Sequence, residues 1–512
     1  MLITVKPFPK AQGIPITVES GTTIAELAGR YREQLPYDIV AARLDNHVVG
    51  LDTQLYGESE VTFLDLRDPS GNQAYQNSVV ELYLEAVRRV FPKASVVIAH
   101  SLNRGIFTKI SGIRTPGPRE VARIETAMKK LAKENIPFFE INSDLQLVVP
   151  STGYIKEFDL KKCRNGIIIR IPEAAHPHGL PPYRDDKKLH KAFQEQEKWN
   201  NMLGIHYMDD LNDRIKSGEM REIIQISEAL HEKNIAGIAD QIVRKKKRIV
   251  LIAGPTSSGK TTFAHRLCTQ LWVNGRKPIY LGTDDYYLER DLIKPGPDGT
   301  KNFENLDSLD VELFNRHMNA LLAGEEVDVP HFDFGSGTKV FGRRILQAQP
   351  DQPIVIEGIH GLNDALSRQI PVEQKFKIYI SPLTMVRIDN HNRIPLTDVR
   401  KLRRIIRDAA KRGWDARQTI DAWPKVRAGE DVNIFPYSDQ ADAIFNSVHV
   451  YEMAALKKYA LPLLEEIGDN EEEYTEARRL LRILGFVDEL EDDSIIVNNS
   501  IIREFIGGSI IS

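Results

Sequence analysis

Disulfides, membrane spans and a dominant charge are all missing from this sequence, and each absence removes a class of protein. The 512 residues include 2 Cys, Cys163 and Cys268. Two distant thiols cannot build a disulfide framework or a Cys-rich zinc module, and such usage suits a reducing cytosol. No stretch approaches the ~20 apolar residues that cross a bilayer. The opening Met1-Leu2-Ile3-Thr4-Val5-Lys6-Pro7 lacks the basic flank and apolar core of a secretory leader, so a cytoplasmic location with no membrane partner is expected. Lys and Arg total 68 against 72 Asp and Glu, a formal net charge of −4, which gives the whole chain no pull on nucleic acid. Repeats and low-complexity tracts are absent too. What remains is core-forming, with 42% hydrophobic and 27% charged residues. At roughly 100–200 residues per domain, the length argues for about three domains.

The pattern divides the chain into successive stretches. In residues 1–66, Ile3 and Val5, then Ile14, Ile16 and Val18, alternate with polar neighbours as strands do. Thr22 or Thr23 can cap a helix starting near Ile24, and strands follow at Ile39–Leu44, Val48-Val49 and Val61–Leu66. That order predicts a small β-grasp. Asp68-Pro69-Ser70-Gly71-Asn72 reads as a linker. Residues 67–184 predict an α+β domain, with helices over 74–91 and about 118–135 and strands at Val96–Ala99, Ile106–Ile110, Leu145–Val149 and Gly166–Ile171. Residues 185–248 are charged and helical, a connector ending in Lys245-Lys246-Lys247-Arg248, which reads as a solvated strand entrance. Apolar strands then alternate with helices over 249–465, the mark of an α/β domain with a mainly parallel sheet. The tail, 466–512, is acidic at first (Asp469, Glu471–Glu473) and apolar at Ile501–Ile511. Such an end suits docking either on the preceding domain or on a second subunit of a homo-oligomer.

One motif carries chemistry by itself. Gly254-Pro255-Thr256-Ser257-Ser258-Gly259-Lys260-Thr261 follows the apolar strand Ile249–Ala253 and opens a helix through Phe263, Leu267 and Leu271, and these eight residues with Thr262 are the candidate nucleotide-binding positions. The segment satisfies G-x-x-x-x-G-K-[ST] in the strand–loop–helix setting the pattern needs. Its glycines let successive N–H groups turn inward onto phosphate oxygens, and the helix adds its positive end. Lys260 supplies a charge to the β- and γ-phosphates, and Thr261 a hydroxyl for Mg²⁺. A nucleotide with Mg²⁺ is therefore expected, and the loop alone does not separate an ATP-using kinase from a GTPase, motor or ATPase. Downstream, Ile279-Tyr280-Leu281 ends in Gly282-Thr283-Asp284-Asp285-Tyr286-Tyr287, and Ile354-Val355-Ile356 ends in Glu357-Gly358. Both put carboxylates at the carboxyl edge of a sheet, where open α/β folds bind ligands. Arg400, Arg403, Arg404 and Arg407 recur at helical spacing, so one helix face is cationic and able to close over a transferring phosphate.

Together these segments resemble the uridine kinase and phosphoribulokinase group of P-loop kinases. The resemblance covers about 249–460 and adds Asn302-Phe303-Glu304, Pro330-His331-Phe332-Asp333-Phe334 and the run through Arg412-Gly413. It implies that Asp284 activates the acceptor hydroxyl and that Thr261, Asp284 and Glu357 form the Mg²⁺ shell. It implies Arg407 and Arg412 as lid residues on phosphoryl charge, with Tyr287, Glu304, Phe332, Phe334 and Arg404 holding a nucleoside's sugar and base. Three positions depart: Glu304 stands for an Asp, Gly337 for a His and Trp414 for an Arg. The implied reaction is phosphoryl transfer to the 5′-hydroxyl of a nucleoside or related small molecule. A phosphoribulokinase-like sugar-phosphate acceptor needs more cations than the Lys301, Arg316, His317, His331 and Lys339 of 300–340.

The front end resembles another family. Ser20-Gly21-Thr22-Thr23-Ile24-Ala25-Glu26-Leu27-Ala28 is similar to the TGS domain of threonyl-tRNA synthetases. Ile124-Glu125, Met128–Ala132 and Pro150–Phe158 resemble the editing domain that follows it there. That editing site uses a His-x-x-x-His pair and a later Cys-x-x-x-His. Here Asn77 and Glu81 replace the pair, and 144–150 holds no Cys or His, so deacylation and zinc binding are not expected. His176 and His178 read as exposed loop residues, and His100 as a core or cleft histidine. A nucleotide-regulated RNA-binding protein is the second reading, weakened by the absence of a basic front end.

Overall fold

The computed structural model describes residues 1–102, 104–141, 147–174, 176–295 and 301–511. They fall into two compact units. One comprises Met1–Asp186, Arg387–Pro395 and Glu465–Arg482, the other Lys187–Val386, Leu396–Leu464 and Ile483–Ser512. Among the described residues no helix is long and apolar enough to cross a membrane.

In the first unit, five strands pair in the order Ile14–Thr17, Leu2–Lys6, Glu60–Leu64, Ala41–Leu44, His47–Val49. Leu2–Lys6 runs parallel to Glu60–Leu64, and the other pairs are antiparallel. The helix Ile24–Tyr31 starts because Thr23 and Glu26 exchange side-chain and backbone hydrogen bonds, 3.2 and 2.9 Å long, satisfying two otherwise orphaned N–H groups. Its buried Ile24 and Leu27 join Ile3, Val5, Val61 and Phe63 in one core. The tail's acidic stretch belongs here as well: Thr475 Oγ1 accepts from Val48 N–H (2.9 Å) and donates to the Asn46 carbonyl (2.8 Å).

A second sheet, Ser95–Leu102, Gly105–Ser111, Gly166–Arg170, Asp159–Cys163, is antiparallel throughout. The helices Pro69–Val90 and Pro118–Glu134 bury Val79, Leu82, Ile124 and Met128 in the same core as its Ile106, Ile167 and Ile169. Asp159–Cys163 escapes a hydrophobicity reading because Asp-Leu-Lys-Lys-Cys buries only Leu160 and Cys163. The expected linker at 68–72 is instead a helix start. Asp68 accepts from the N–H groups of Ser70 (2.8 Å) and Gly71 (3.2 Å), and Pro69 takes the first helical position, where no N–H is needed. The expected strand Leu145–Val149 lies partly outside the described residues. Its described part, 147–149, is not a strand, for Val149 N–H is taken by Ser78 Oγ at 2.9 Å.

The second unit is built on a wholly parallel sheet. Its order is Ile279–Gly282, Ile354–Glu357, Ile249–Ala253, Lys375–Ser381, Ala443–Asn446. The central strand is buried at every residue, which is why it reads as a continuous apolar run. Helices Met220–Arg244 and Lys260–Val273 contribute Ile235, Ile238, Phe263 and Leu267 to the core with Val250 and Ile252. The helix Val311–Ala323 contributes Phe314 and Met318 to the core with Ile249 and Leu251. The charged stretch 185–248 thus supplies a core helix. Its basic end binds carbonyls: Lys247 Nζ donates to Glu373 O (2.7 Å) and Arg248 Nη1 to Leu322 O (2.7 Å). Ile501 and Phe505 of the tail are also part of this core.

Replacing Asp68 by Ala should cost the first unit about 1 kcal/mol by exposing the two capped amides. Urea unfolding of the full chain, compared with Asp68→Asn as the conservative control, measures it; an unchanged midpoint for Asp68→Ala would contradict the cap.

Candidate active site

Three strand ends converge at the carboxyl edge of the parallel sheet, because Ile252 pairs with Glu357 and Gly282 pairs with Glu357 on its other side. The loop from Gly254 to Gly259 sits there. Its curl needs left-handed backbone at Ser257 (φ 56°) and Gly259 (φ 83°). A Cβ on Gly254 would collide with the Ile380 carbonyl and the Ser258 hydroxyl. Glycine is therefore required twice, once for φ and once for space. The Lys260 ammonium turns back onto its own loop, 3.0 Å from Gly254 O and 3.2 Å from Pro255 O. Burial lowers its pKa, while the negative Glu357 and Glu504 oppose that shift. Among the described residues the buried Ser257 and Ser258 hydroxyls meet no hydrogen-bond partner.

Around this cradle the acids gather. Thr261 Oγ1 lies 3.0 and 3.2 Å from the two Glu357 carboxylate oxygens, and Tyr280 OH donates to Glu357 at 2.6 Å. Burial and the Glu357 charge push the Tyr280 phenol far above its ordinary value. Asp284 is accessible to solvent yet stands deep among protein atoms, as a side chain lining an open cleft does. Burial first, then repulsion from Glu357, raise its pKa to about 6, against the pull of Lys260. A hydroxyl beside two carboxylates suits a hard, oxygen-seeking divalent cation, which Mg²⁺ sites typically share with substrate phosphates. Among the described residues, no three His, Cys, Asp or Glu side chains form a cage able to hold a metal alone.

The cationic face expected on the arginine helix, Leu396–Arg412, is turned inward at three of its residues. Arg400, Arg403 and Arg404 are 3%, 0% and 8% exposed. Arg400 donates to Thr256 O (3.0 Å) and pairs with Glu430, which itself accepts from Thr256 N–H (2.9 Å). Arg403 donates to Ser257 O (3.1 Å) and Ser447 O (2.8 Å) and is paired with the fully buried Glu452. Arg404 reaches Thr256 Oγ1 (3.4 Å) and Asp408 (3.0 Å), so it holds the phosphate loop. The correction has a physical cause: helical spacing sets a face, but long-range carboxylates decide whether that face is wet. Arg407, half-buried and 3.1 Å from Asp408, still adds its charge to that felt by Lys260. Arg412 is exposed and 3.4 Å from the same Asp408.

Beside the acids lies an aromatic cluster. Tyr287 meets the edges of Phe303, Phe332 and Phe334 at 5.7, 5.6 and 6.0 Å between ring centres, and Phe332 meets Phe334 at 5.1 Å. Phe334 is 58% exposed, leaving a ring open to a ligand. Glu304 packs so closely on Gly429 that a Cβ there would strike its carboxylate. Its pKa is raised by burial and by Glu430, while Arg404 and Lys425 oppose the shift. At Gly337 (φ 74°), the side chain of Arg290 fills the adjoining space and donates to Phe334 O at 2.7 Å. Several contributors escaped the sequence reading: Glu430, His360 and Glu504. His360 follows Glu357 by three positions, is buried and has its pKa depressed by burial to about 4. That spacing after a strand-end acid was the available signal; Glu430 and Glu504 offered none.

In the first unit, Asn77 Nδ2 donates to Leu147 O (3.0 Å) and its Oδ1 accepts from Gln73 Nε2 (2.8 Å), a structural arrangement. Residues 144–146 of the segment 144–150 lie outside the described residues. His178 stacks on Tyr37 at 4.6 Å, and buried His100 stacks on Phe107 at 5.1 Å.

Residues 249–454 match the Phosphoribulokinase / Uridine kinase family. The chain thus carries a domain of that family at its C-terminal side. It is similar to the uridine kinase of Halalkalibacterium halodurans, 24% identical over 226 residues, covering 44% of this chain and 89% of that protein. The N-terminal part is similar to the threonine–tRNA ligase of Desulforamulus reducens, 29% identical over 118 residues, 23% of this chain and 19% of that protein. The chain therefore spans about a fifth of the length of that ligase, as a fusion of parts would. A solved structure described as a possible uridine kinase from Bacillus stearothermophilus is 19% identical, covering 39% of this chain and 89% of that one, at a TM-score of 0.27.

Substituting Arg403 by Met should destabilise the second unit by about 3–5 kcal/mol, because Glu452 is left buried and unpaired. Pairing it with Glu452→Leu should recover much of that loss. Chemical denaturation of the single and double variants measures both; equal losses in the two would show that the buried charge is not the cause.

Proposed function

We propose that the second unit is an ATP- and Mg²⁺-dependent kinase that phosphorylates the 5′-hydroxyl of a nucleoside. The observation that carries this reading is the joint placement of a glycine-curled loop, a buried ammonium and two strand-end carboxylates beside an open aromatic wall. The amides of Gly259, Lys260 and Thr261 and the Lys260 ammonium hold the triphosphate. Thr261, Glu357 and Asp284 are placed to hold Mg²⁺, which when bound neutralises charge on the transferring phosphoryl group. Asp284 accepts the proton of the acceptor hydroxyl as its oxygen bonds the γ-phosphorus and the bond to the β-phosphate oxygen breaks, releasing ADP. Arg407 faces the charge that spreads over the equatorial oxygens. Tyr287, Phe332 and Phe334 offer apolar faces to a base, and Glu304 offers acceptors to a sugar's hydroxyls.

A nucleoside is favoured over a sugar phosphate by the composition of the wall. Lys339 is engaged by Asp310, and His331 by Asp285 at 3.1 Å, so neither is left over to meet a second phosphate. The departures at 304, 337 and 414 argue against assuming uridine, since a site lacking base-reading partners discriminates poorly.

Purified protein with ATP, Mg²⁺ and a panel of nucleosides should yield nucleoside monophosphates, and Asp284→Asn should lower turnover by about 10²–10⁴ while ATP binding persists. No product across the panel, with ATP still bound, would leave a nucleotide binder only. The pH profile follows from the raised carboxyl. Asp284 serves as a base only when ionised, so kcat/KM for ATP should rise through a midpoint near about 6, the value its surroundings set. In Asp284→Asn that limb should vanish; its survival would assign the limb to another group.

A further inference from the structure

The end of the chain reaches the phosphate loop. Arg503 braces it by donating to the carbonyls of Asp493 (2.6 Å) and Ile496 (2.9 Å), and Ser500 Oγ lies 3.4 Å from Nε2 of the buried His449. Held so, Ile501 abuts Gly259 closely enough that a Cβ on that glycine would strike it. Phe505 lies 4.9 Å from the guanidinium of Arg403, the group that holds Ser257 O. Between them Glu504, 9% exposed, accepts from Thr262 Oγ1 at 2.7 Å and from Thr262 N–H at 3.4 Å.

That N–H has an expected use. The amides of Lys260, Thr261 and Thr262 open the helix and have no acceptor within it, whereas Phe263 N–H is already bonded to Gly259 O at 3.0 Å. Free amides at the start of a phosphate-binding helix are the groups that meet phosphate oxygens. A carboxylate on one of them is an anion standing where an anion binds. An ordinary acidic cap comes from the helix's own first turn; this one arrives from 242 residues away, and its charge also reaches Lys260.

We propose that Glu504 is an internal competitor for one phosphate of the nucleotide: Ser500–Ile506 fills the subsite on Thr262, and the nucleotide binds at full strength only when Glu504 leaves it. This rests on the reading of the loop as a triphosphate cradle. The chain's own tail then sets the affinity of the site.

The test uses the full chain, with MgATP and inorganic pyrophosphate titrated calorimetrically into wild type, Glu504→Gln, Glu504→Ala and Lys260→Ala. Loss of a charge-assisted contact that must be broken should tighten both ligands by about tenfold in each Glu504 variant. Amide hydrogen exchange over 500–506 should quicken when ATP is added to wild type. Equal or weaker binding in both Glu504 variants, with exchange slowed by ATP, would make the tail a buttress and overturn the competition alone. Absence of binding in every protein, wild type included, would overturn the cradle itself and the competition with it.

Discussion

A loop can offer its N–H groups to phosphate only if its carbonyls are tied down elsewhere, since a freely turning backbone would present both. Here the tie is made by buried arginines. Arg400 and Arg403 grip the carbonyls of Thr256 and Ser257, and Glu430 and Glu452 balance their charges from other helices. Each guanidinium brings several rigidly oriented donors, so it can hold a carbonyl and a carboxylate together where an ammonium could not fix the angle. Burial raises the stakes: such pairs add little net stability over apolar residues, yet removing one partner strands a charge. Their use is geometric. They hold a strained curl, with Ser257 in left-handed backbone, that the loop would not keep alone.

The same low-polarity surroundings that make those pairs rigid also separate the roles of the acids. Glu357 receives hydrogen bonds from Thr261 and Tyr280. Asp284 is held high by burial and by the repulsion of Glu357. Two carboxylates at one sheet edge thus differ in their surroundings, one held by protein donors and the other raised in pKa to about 6. A carboxylate with a raised pKa suits the taking of a proton.

How much of this was legible depended on how local each signal is. The phosphate loop could be read because strand, glycines, lysine and helix adjoin in sequence and each does its own work. The β-grasp could be read because its strands alternate and its helix is capped by neighbours three residues apart. The arginine helix was misread because Arg403 and Glu452 are far apart in sequence, and spacing alone cannot say that a cationic face is buried. Asp68-Pro69 was misread for a related reason: the pair that breaks one element is also the pair that begins the next. Asp159–Cys163 stayed hidden because an edge strand needs few apolar residues. Glu504 was invisible, since nothing about a lone glutamate near a chain end points to Thr262.

These limits bear on how the two units should be weighed. The second unit gathers an ammonium, a hydroxyl and acids at one sheet edge, and each is costly to maintain. Lys260 is desolvated, Asp284 is held against repulsion, and the Ser257 and Ser258 hydroxyls are buried without partners among the described residues. Unsatisfied buried groups destabilise a fold, so they persist where a ligand supplies the missing partner. In the first unit the positions set against the synthetase pattern behave in the opposite way: Asn77 spends its amide on a local carbonyl and a neighbouring glutamine. A polar group satisfied by its own fold has no interaction left to give a substrate. That contrast favours the glycine loop over the Asn77 position as the place where a ligand is bound.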